Sequence, residues 1–140
     1  MASKGQLTGM RGVFLVAAEL SKRGFIVSPT SRSALGADIL TTDQSCCKTF
    51  SVQVKTNAKN ASFWLIGAKA QTAVSRTHIY VLVNLRDNAA KGDSVDYYVV
   101  PSKDLAKLGY HDGNWPNIQR KDIVKYKDNW SPFGSTAEHL

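Results

Sequence analysis

Ala37-Asp38-Ile39-Leu40-Thr41-Thr42 and, after a polar break, Lys48-Thr49-Phe50-Ser51-Val52-Gln53-Val54-Lys55 are the stretches whose reading decides the fold. In the second, Phe50, Val52 and Val54 alternate with Thr49, Ser51, Gln53 and Lys55, the period of a strand with one buried face. Ala37 to Thr42 reads as the strand before it, joined through the loop Gln44 to Cys47 as a hairpin. In that register Asp43 faces Lys48, Asp38 faces Gln53, Ile39 pairs with Val52 and Thr41 with Phe50. Directly opposed residues project to one face, so Asp38, Gln53 and Lys55 gather on one side, with Leu40 an apolar intruder. A slip of one residue would disperse them.

Outward from this hairpin the chain alternates helix and strand. Residues 1–8 read as a loose leader. Residues 9–23 read as a helix whose Met10, Val13, Phe14, Val16, Ala17 and Leu20 cover one side, ended by Gly24. Phe25 to Val27 is a short strand closed by Ser28-Pro29. Phe63 to Ile66 reads as a further strand, and Ala68 to Ser75 has room for a short helix. Ile79 to Val83 is apolar and β-branched, as a central strand requires. Val95 to Val100 follows the turn-rich segment 87–93 and stops at Pro101. Ser102 is expected to cap a short helix through Leu108. A last helix is expected over Arg120 to Trp130, with Ile123, Val124 and Tyr126 partly buried, and residues 131–140 as a frayed tail. The expected class is α/β (α+β): one domain over residues 9–130, a mixed sheet flanked by helices, with the N-terminal helix followed by a β-meander.

Composition narrows the function. The 140 residues suffice for one domain with a real core. No apolar run approaches a membrane span, and the first residues lack a signal-peptide core, so a cytoplasmic protein is the default. Cys46 and Cys47 are adjacent, too close for a relaxed disulfide, and no Cys/His spacing suits zinc. The net charge of +7 is unevenly placed. Residues 1–86 hold eleven Lys and Arg against three acids, Glu19, Asp38 and Asp43, a net +8, and residues 87–140 carry −1. A basic surface of that kind is the electrostatic footprint of phosphate binding.

With so few acids in the basic part, Asp38 and Glu19 stand out. Glu19 lies about 60° from Val16 on the helical wheel, at the margin of the apolar stripe. Each candidate has a plain structural alternative. Asp38 can cap a turn, Gln53 can fill a polar face, Lys55 can be a solvated strand lysine, and Glu19 can pair with Arg23 one turn on. Their joint pattern carries the functional reading. His78 abuts an apolar strand and reads as structural. Trp64 and Trp115 read as packing rather than base-stacking residues. No phosphate-loop or dinucleotide fingerprint occurs.

Together, Glu19 on the first helix, Ala37-Asp38 and Gln53-Val54-Lys55 resemble the PD-(D/E)xK nuclease superfamily, in its restriction-endonuclease-like and Holliday-junction-resolvase-like branches. The resemblance spans roughly residues 9–100. Ala37 replaces the proline, and Gln53 replaces the acid of the triplet with a neutral carbonyl oxygen, which weakens binding of a hard cation. The resemblance implies a divalent-metal-dependent endonuclease hydrolysing phosphodiester bonds of DNA, duplex or branched, with Mg²⁺ or Mn²⁺. Asp38, Gln53 and the Val54 carbonyl are its implied metal ligands, and Glu19 holds a water or second ion. Lys55 orients the attacking water and offsets transition-state charge. Arg11, Lys22, Arg23, Arg32, Lys59 and Lys69 are candidate phosphate contacts. It leaves a homodimer open. Two other readings stand beside it: an inactive nucleic-acid-binding module on the same fold, and a protein-interaction subunit.

Overall fold

Ser3 opens the first helix, α1, Lys4–Lys22. Its hydroxyl accepts from the Gln6 N–H at 3.2 Å, and the Gln6 side-chain oxygen accepts from the Ser3 N–H at 2.8 Å. This reciprocal box satisfies two donors that a helix start otherwise leaves unpaired. In the computed structural model, which describes residues 1–31, 36–86, 94–111, 113 and 115–134, the helix therefore begins at Lys4. Residues 4–8 are its first turn rather than part of a loose leader. Gly24 ends it with φ 91°, a value glycine reaches without strain, and the Phe25 N–H returns to the Leu20 carbonyl at 3.1 Å.

The strands are β1 (Ile26–Pro29), β2 (Ile39–Thr42), β3 (Thr49–Asn57), β4 (Phe63–Leu65), β5 (His78–Arg86), β6 (Ser94–Pro101) and β7 (Asn117–Gln119). Five form a mixed sheet in the order β1-β2-β3-β5-β6. The first three make an antiparallel meander, β3 and β5 run parallel, and β6 returns antiparallel to β5. The crossover from β3 to β5 carries β4, which pairs with β7, and a single 3₁₀ turn at Ala68–Gln71. The expected hairpin register holds: Ile39 opposes Val52, and Thr41 opposes Phe50.

Each face of the sheet has its own apolar cluster. β5 feeds both, with Ile79, Val81, Val83 and Leu85 on one side and Tyr80 and Leu82 on the other. α1 lies on the first side, where Val16 and Leu20 join Ile39, Val52 and Val54. Here the helix differs from its expected phase. Its buried line is Gly12, Val16 and Leu20, whereas Met10 and Phe14 are 41% and 58% exposed. Met10 and Phe14 instead line a cavity between α1 and the segment 29–31.

Three other expectations are corrected. Ser102 lies inside helix α2, Ser102–Leu108, rather than capping it; its hydroxyl donates to the Ser75 carbonyl at 2.8 Å and accepts the Ser75 N–H at 3.0 Å. The expected last helix over 120–130 is instead two 3₁₀ turns, Arg120–Asp122 and Val124–Tyr126. Ile123 and Tyr126 are buried there and Val124 is exposed. The start of the expected frayed tail is ordered: Ser131–Phe133 forms a turn that buries Phe133 against Phe25 and Phe50. Residues 135–140 and the expected loop 87–93 lie outside the described residues. Among those described, no helix is long and apolar enough to cross a membrane.

Gly12 fixes how closely α1 approaches β3. A methyl group there would overlap the Thr56 hydroxyl. Alanine normally stabilises a helix interior by about 0.5–1 kcal/mol relative to glycine. β-Branched Thr56 cannot swing aside, so Gly12→Ala should instead destabilise by about 1–2 kcal/mol, the usual scale of overpacking. Chemical denaturation checks this, and Thr56→Ala in the same chain should recover part of the loss.

Candidate functional site

The peptide groups of β3 explain where the site forms. Val52 still pairs with the neighbouring chain, its carbonyl accepting the Asp38 N–H at 2.8 Å. Before Asp38 that chain turns away. The Thr30 N–H donates to the Asp38 carbonyl at 2.9 Å, and the Thr30 hydroxyl donates to the Ala37 carbonyl at 2.6 Å. β3 runs on to Asn57 beyond Val52, the last residue it pairs with β2, and an unpaired strand N–H is costly. The Asp38 carboxylate fills the gap: one oxygen, Oδ2, accepts the Val54 N–H at 2.8 Å and the Gln53 Nε2 at 3.0 Å. Alternate peptide groups of a strand point the same way, so the Val54 carbonyl faces this edge too.

A cavity of about 540 Å³ opens at this point. Asp38, Gln53, Val54 and Lys55 form one wall, Pro29, Thr30 and Ser31 another, and Gln6, Gly9, Met10, Val13 and Phe14 of α1 the third. The structure thus brings together Asp38, Gln53, Val54 and Lys55, which the hairpin register places side by side. The α1 and Thr30 walls are additions that the sequence reading missed. Met10 and Phe14, expected on the buried side of the helix, are exposed instead and line the first of them.

Glu19 does not join them. It lies six residues beyond Val13, about 9 Å along the helix axis, and pairs with Arg23 at 3.8 Å. Its charge also acts on Tyr97, which belongs to the apolar cluster on the α1 side of the sheet. Burial, then Glu19, then Asp128 push that phenol up to about 12. The part of α1 that does line the cavity carries no acid.

The six candidate phosphate contacts divide. Lys22, Lys59 and Lys69 are exposed, and Arg11 is half-buried on α1. Arg23 stacks over Trp130, 4.8 Å from the ring centroid, and pairs with Glu19, so it serves the packing of the C-terminal turn. Arg32 lies outside the described residues. His78 is buried, with Nδ1 2.7 Å from the Ser51 hydroxyl. Burial lowers its pKa, partly opposed by Ser51, as befits a neutral packing residue. Trp64 is buried, donating to the Val83 carbonyl at 3.0 Å, whereas Trp115 is 72% exposed.

The oxygens gathered at Asp38 are its carboxylate, the Gln53 amide oxygen and the Val54 main-chain carbonyl, with the Gln6 amide and the Thr30 and Ser31 hydroxyls elsewhere on the lining. That chemistry fits a hard divalent ion retaining most of its water, held through a single carboxylate. Zinc prefers His and Cys ligands, and among the described residues neither type lines the cavity. Among the described residues no three His, Cys, Asp or Glu side chains come together as a metal-binding cluster.

A helix followed by a five-stranded mixed sheet, with the site where β2 and β3 part, is a restriction-endonuclease-like fold. The chain is similar in structure to Hjc, a Holliday junction resolvase from the archaeal hyperthermophile Archaeoglobus fulgidus. The match has a TM-score of 0.55 at 12% sequence identity and covers 83% of this chain and 92% of that one. At this identity the likeness speaks to fold alone. No family model matches the chain, and no curated protein matches it in sequence.

The carboxylate of Asp38 has a structural duty that can be separated from its charge. Asp38→Ala leaves the Val54 N–H without its acceptor and should cost about 1–3 kcal/mol. Asp38→Asn keeps an oxygen at the same position and should cost markedly less. Urea denaturation of the two variants decides; equal losses would contradict the hydrogen-bonding role.

Proposed function

We propose that this chain is a divalent-metal-dependent endonuclease acting on DNA, with Asp38, Gln53, Val54 and Lys55 as its site. The supporting observation is their convergence on one open edge of β3, with the Asp38 carboxylate held in place by the Val54 N–H. Asp38, the Gln53 side-chain oxygen and the Val54 carbonyl would hold the ion. When bound, Mg²⁺ or Mn²⁺ supplies positive charge at the scissile phosphate. Lys55, beside them on β3, positions the attacking water and offsets the negative charge that develops on the phosphoryl oxygens. Lys22, Lys59 and Lys69 would contact the backbone without reading sequence. Glu19 has no part in this reading because it lies outside the cavity.

A second reading is a DNA-binding module without cleavage. It is favoured by the presence of one carboxylate in the cavity, already accepting two hydrogen bonds.

The test is cleavage of supercoiled and branched DNA with Mg²⁺ or Mn²⁺, alongside DNA affinity. Lys55→Met and Asp38→Asn should each lower the rate by about 100-fold or more, the scale of losing one charge-stabilising group, with affinity little changed. Gln53→Glu restores a carboxylate and should lower the metal concentration needed for half-maximal rate. Salt-sensitive binding with no cleavage by the parent would favour the second reading. Variants that cut as well as the parent would dismiss the first.

A further inference from the structure

We propose that the α1 wall of the cavity is a stacking platform for an unpaired nucleobase, so that the substrate is a single-stranded or frayed segment of DNA rather than continuous duplex. This rests on the reading of the cavity as a site for a DNA strand. The observation behind it is that one cavity has two chemistries. One wall offers Asp38, Gln53 and Lys55 to a phosphate, and the other offers Met10, Val13 and Phe14. A phosphodiester backbone lying along a duplex edge has nothing apolar to set against that second wall. A base turned out of its stack does.

Val13 packs against the core at the back of the apolar wall, and Met10 and Phe14 stand exposed in front of it. Leu7, Met10 and Phe14 recur at helical spacing but are 49%, 41% and 58% exposed, while Gly12, Val16 and Leu20 take the buried side of α1. Phe14 thus presents an aromatic ring at the rim of the site, and Met10 a thioether beside it, which packs well on an aromatic face. The cavity, at about 540 Å³, falls within the range of about 300–1,000 Å³ that holds small organic ligands. That is far more room than a hydrated cation and a phosphate need. The charge of the wall also suits a nucleic acid over a second copy of this basic chain. α1 carries Lys4 and Arg11 before its first acid, Glu19.

Stacking tolerates any base, because every base has a π face, and is worth about 1–3 kcal/mol per base. The experiment therefore compares strands with the same phosphates and different bases. Fluorescence anisotropy, in EDTA so that cleavage plays no part, measures binding to labelled oligothymidylate, to an abasic strand of equal length and to a blunt duplex. The parent should bind oligothymidylate about tenfold more tightly than either of the others. Phe14→Ala and Phe14→Leu should abolish that preference by weakening only the oligothymidylate complex, and Phe14→Trp should retain it. Both losses occur at an exposed helical position, and circular dichroism confirms the fold of each variant.

No preference in the parent, or a preference that survives Phe14→Ala, would overturn the inference. So would a dimer that Phe14→Ala converts to monomer with oligothymidylate affinity intact, because the wall would then be a contact between copies. A Phe14-dependent base preference without metal-dependent cleavage would uphold the platform while removing the nuclease reading.

Discussion

One carboxylate oxygen ties the fold to its candidate site. Asp38 Oδ2 takes the Val54 N–H and the Gln53 amide just beyond the point where the pairing of β2 with β3 stops. Without an acceptor there, a strand donor would be left facing a cavity. With one, the pairing of β2 with β3 can stop at Asp38, whose carbonyl turns to the Thr30 N–H instead, and a cavity lies beside α1. The same bond gathers Gln53, the Val54 carbonyl and Lys55 around Asp38. Stability and chemistry therefore compete for one side chain. A cation would draw on oxygen that already serves the strand edge, and Gln53 brings a neutral oxygen where the resembled family places a carboxylate.

The rest of the architecture holds that edge open. β5 is buried on both faces and paired on both sides, by β3 in parallel and β6 antiparallel, so β3 has a rigid neighbour. Gly12 lets α1 settle onto Thr56. The C-terminal half of the helix is locked by Val16 and Leu20 in the core and by Arg23 over Trp130. Its N-terminal half projects beyond the short β2. The cavity lies between the N-terminal half of this 19-residue helix, the edge of β3 and residues 29–31.

The hairpin and its register were legible because β3 alternates strictly and a slip would have turned Val52 and Val54 out of the core. Asp38, Gln53 and Lys55 followed from that register alone. Glu19 was misplaced for a different reason. A helical wheel gives the angle around the axis but not the level along it, and the cavity lies at the level of Gln6 to Phe14. The helix start was hidden because Ser3 and Gln6 act through a capping box, which apolar periodicity does not report. The C-terminal segment misled because Ile123 and Tyr126 are three residues apart, a spacing that suits a 3₁₀ turn as well as an α-helix. Ser102 is the first residue of α2, and its hydroxyl is taken by Ser75, a tertiary choice that local sequence cannot display.

The central claim is that the open edge at Asp38 receives a divalent ion. Adding Mn²⁺ to ¹⁵N-labelled protein tests it directly, because the unpaired electrons broaden nearby amide signals. The amides of Gln53 and Val54, and of Thr30, whose N–H bonds the Asp38 carbonyl, should broaden first, and Asp38→Asn should abolish the effect. Broadening that begins around acids elsewhere, such as Asp96 or Asp122, or that persists unchanged in Asp38→Asn, would contradict the account.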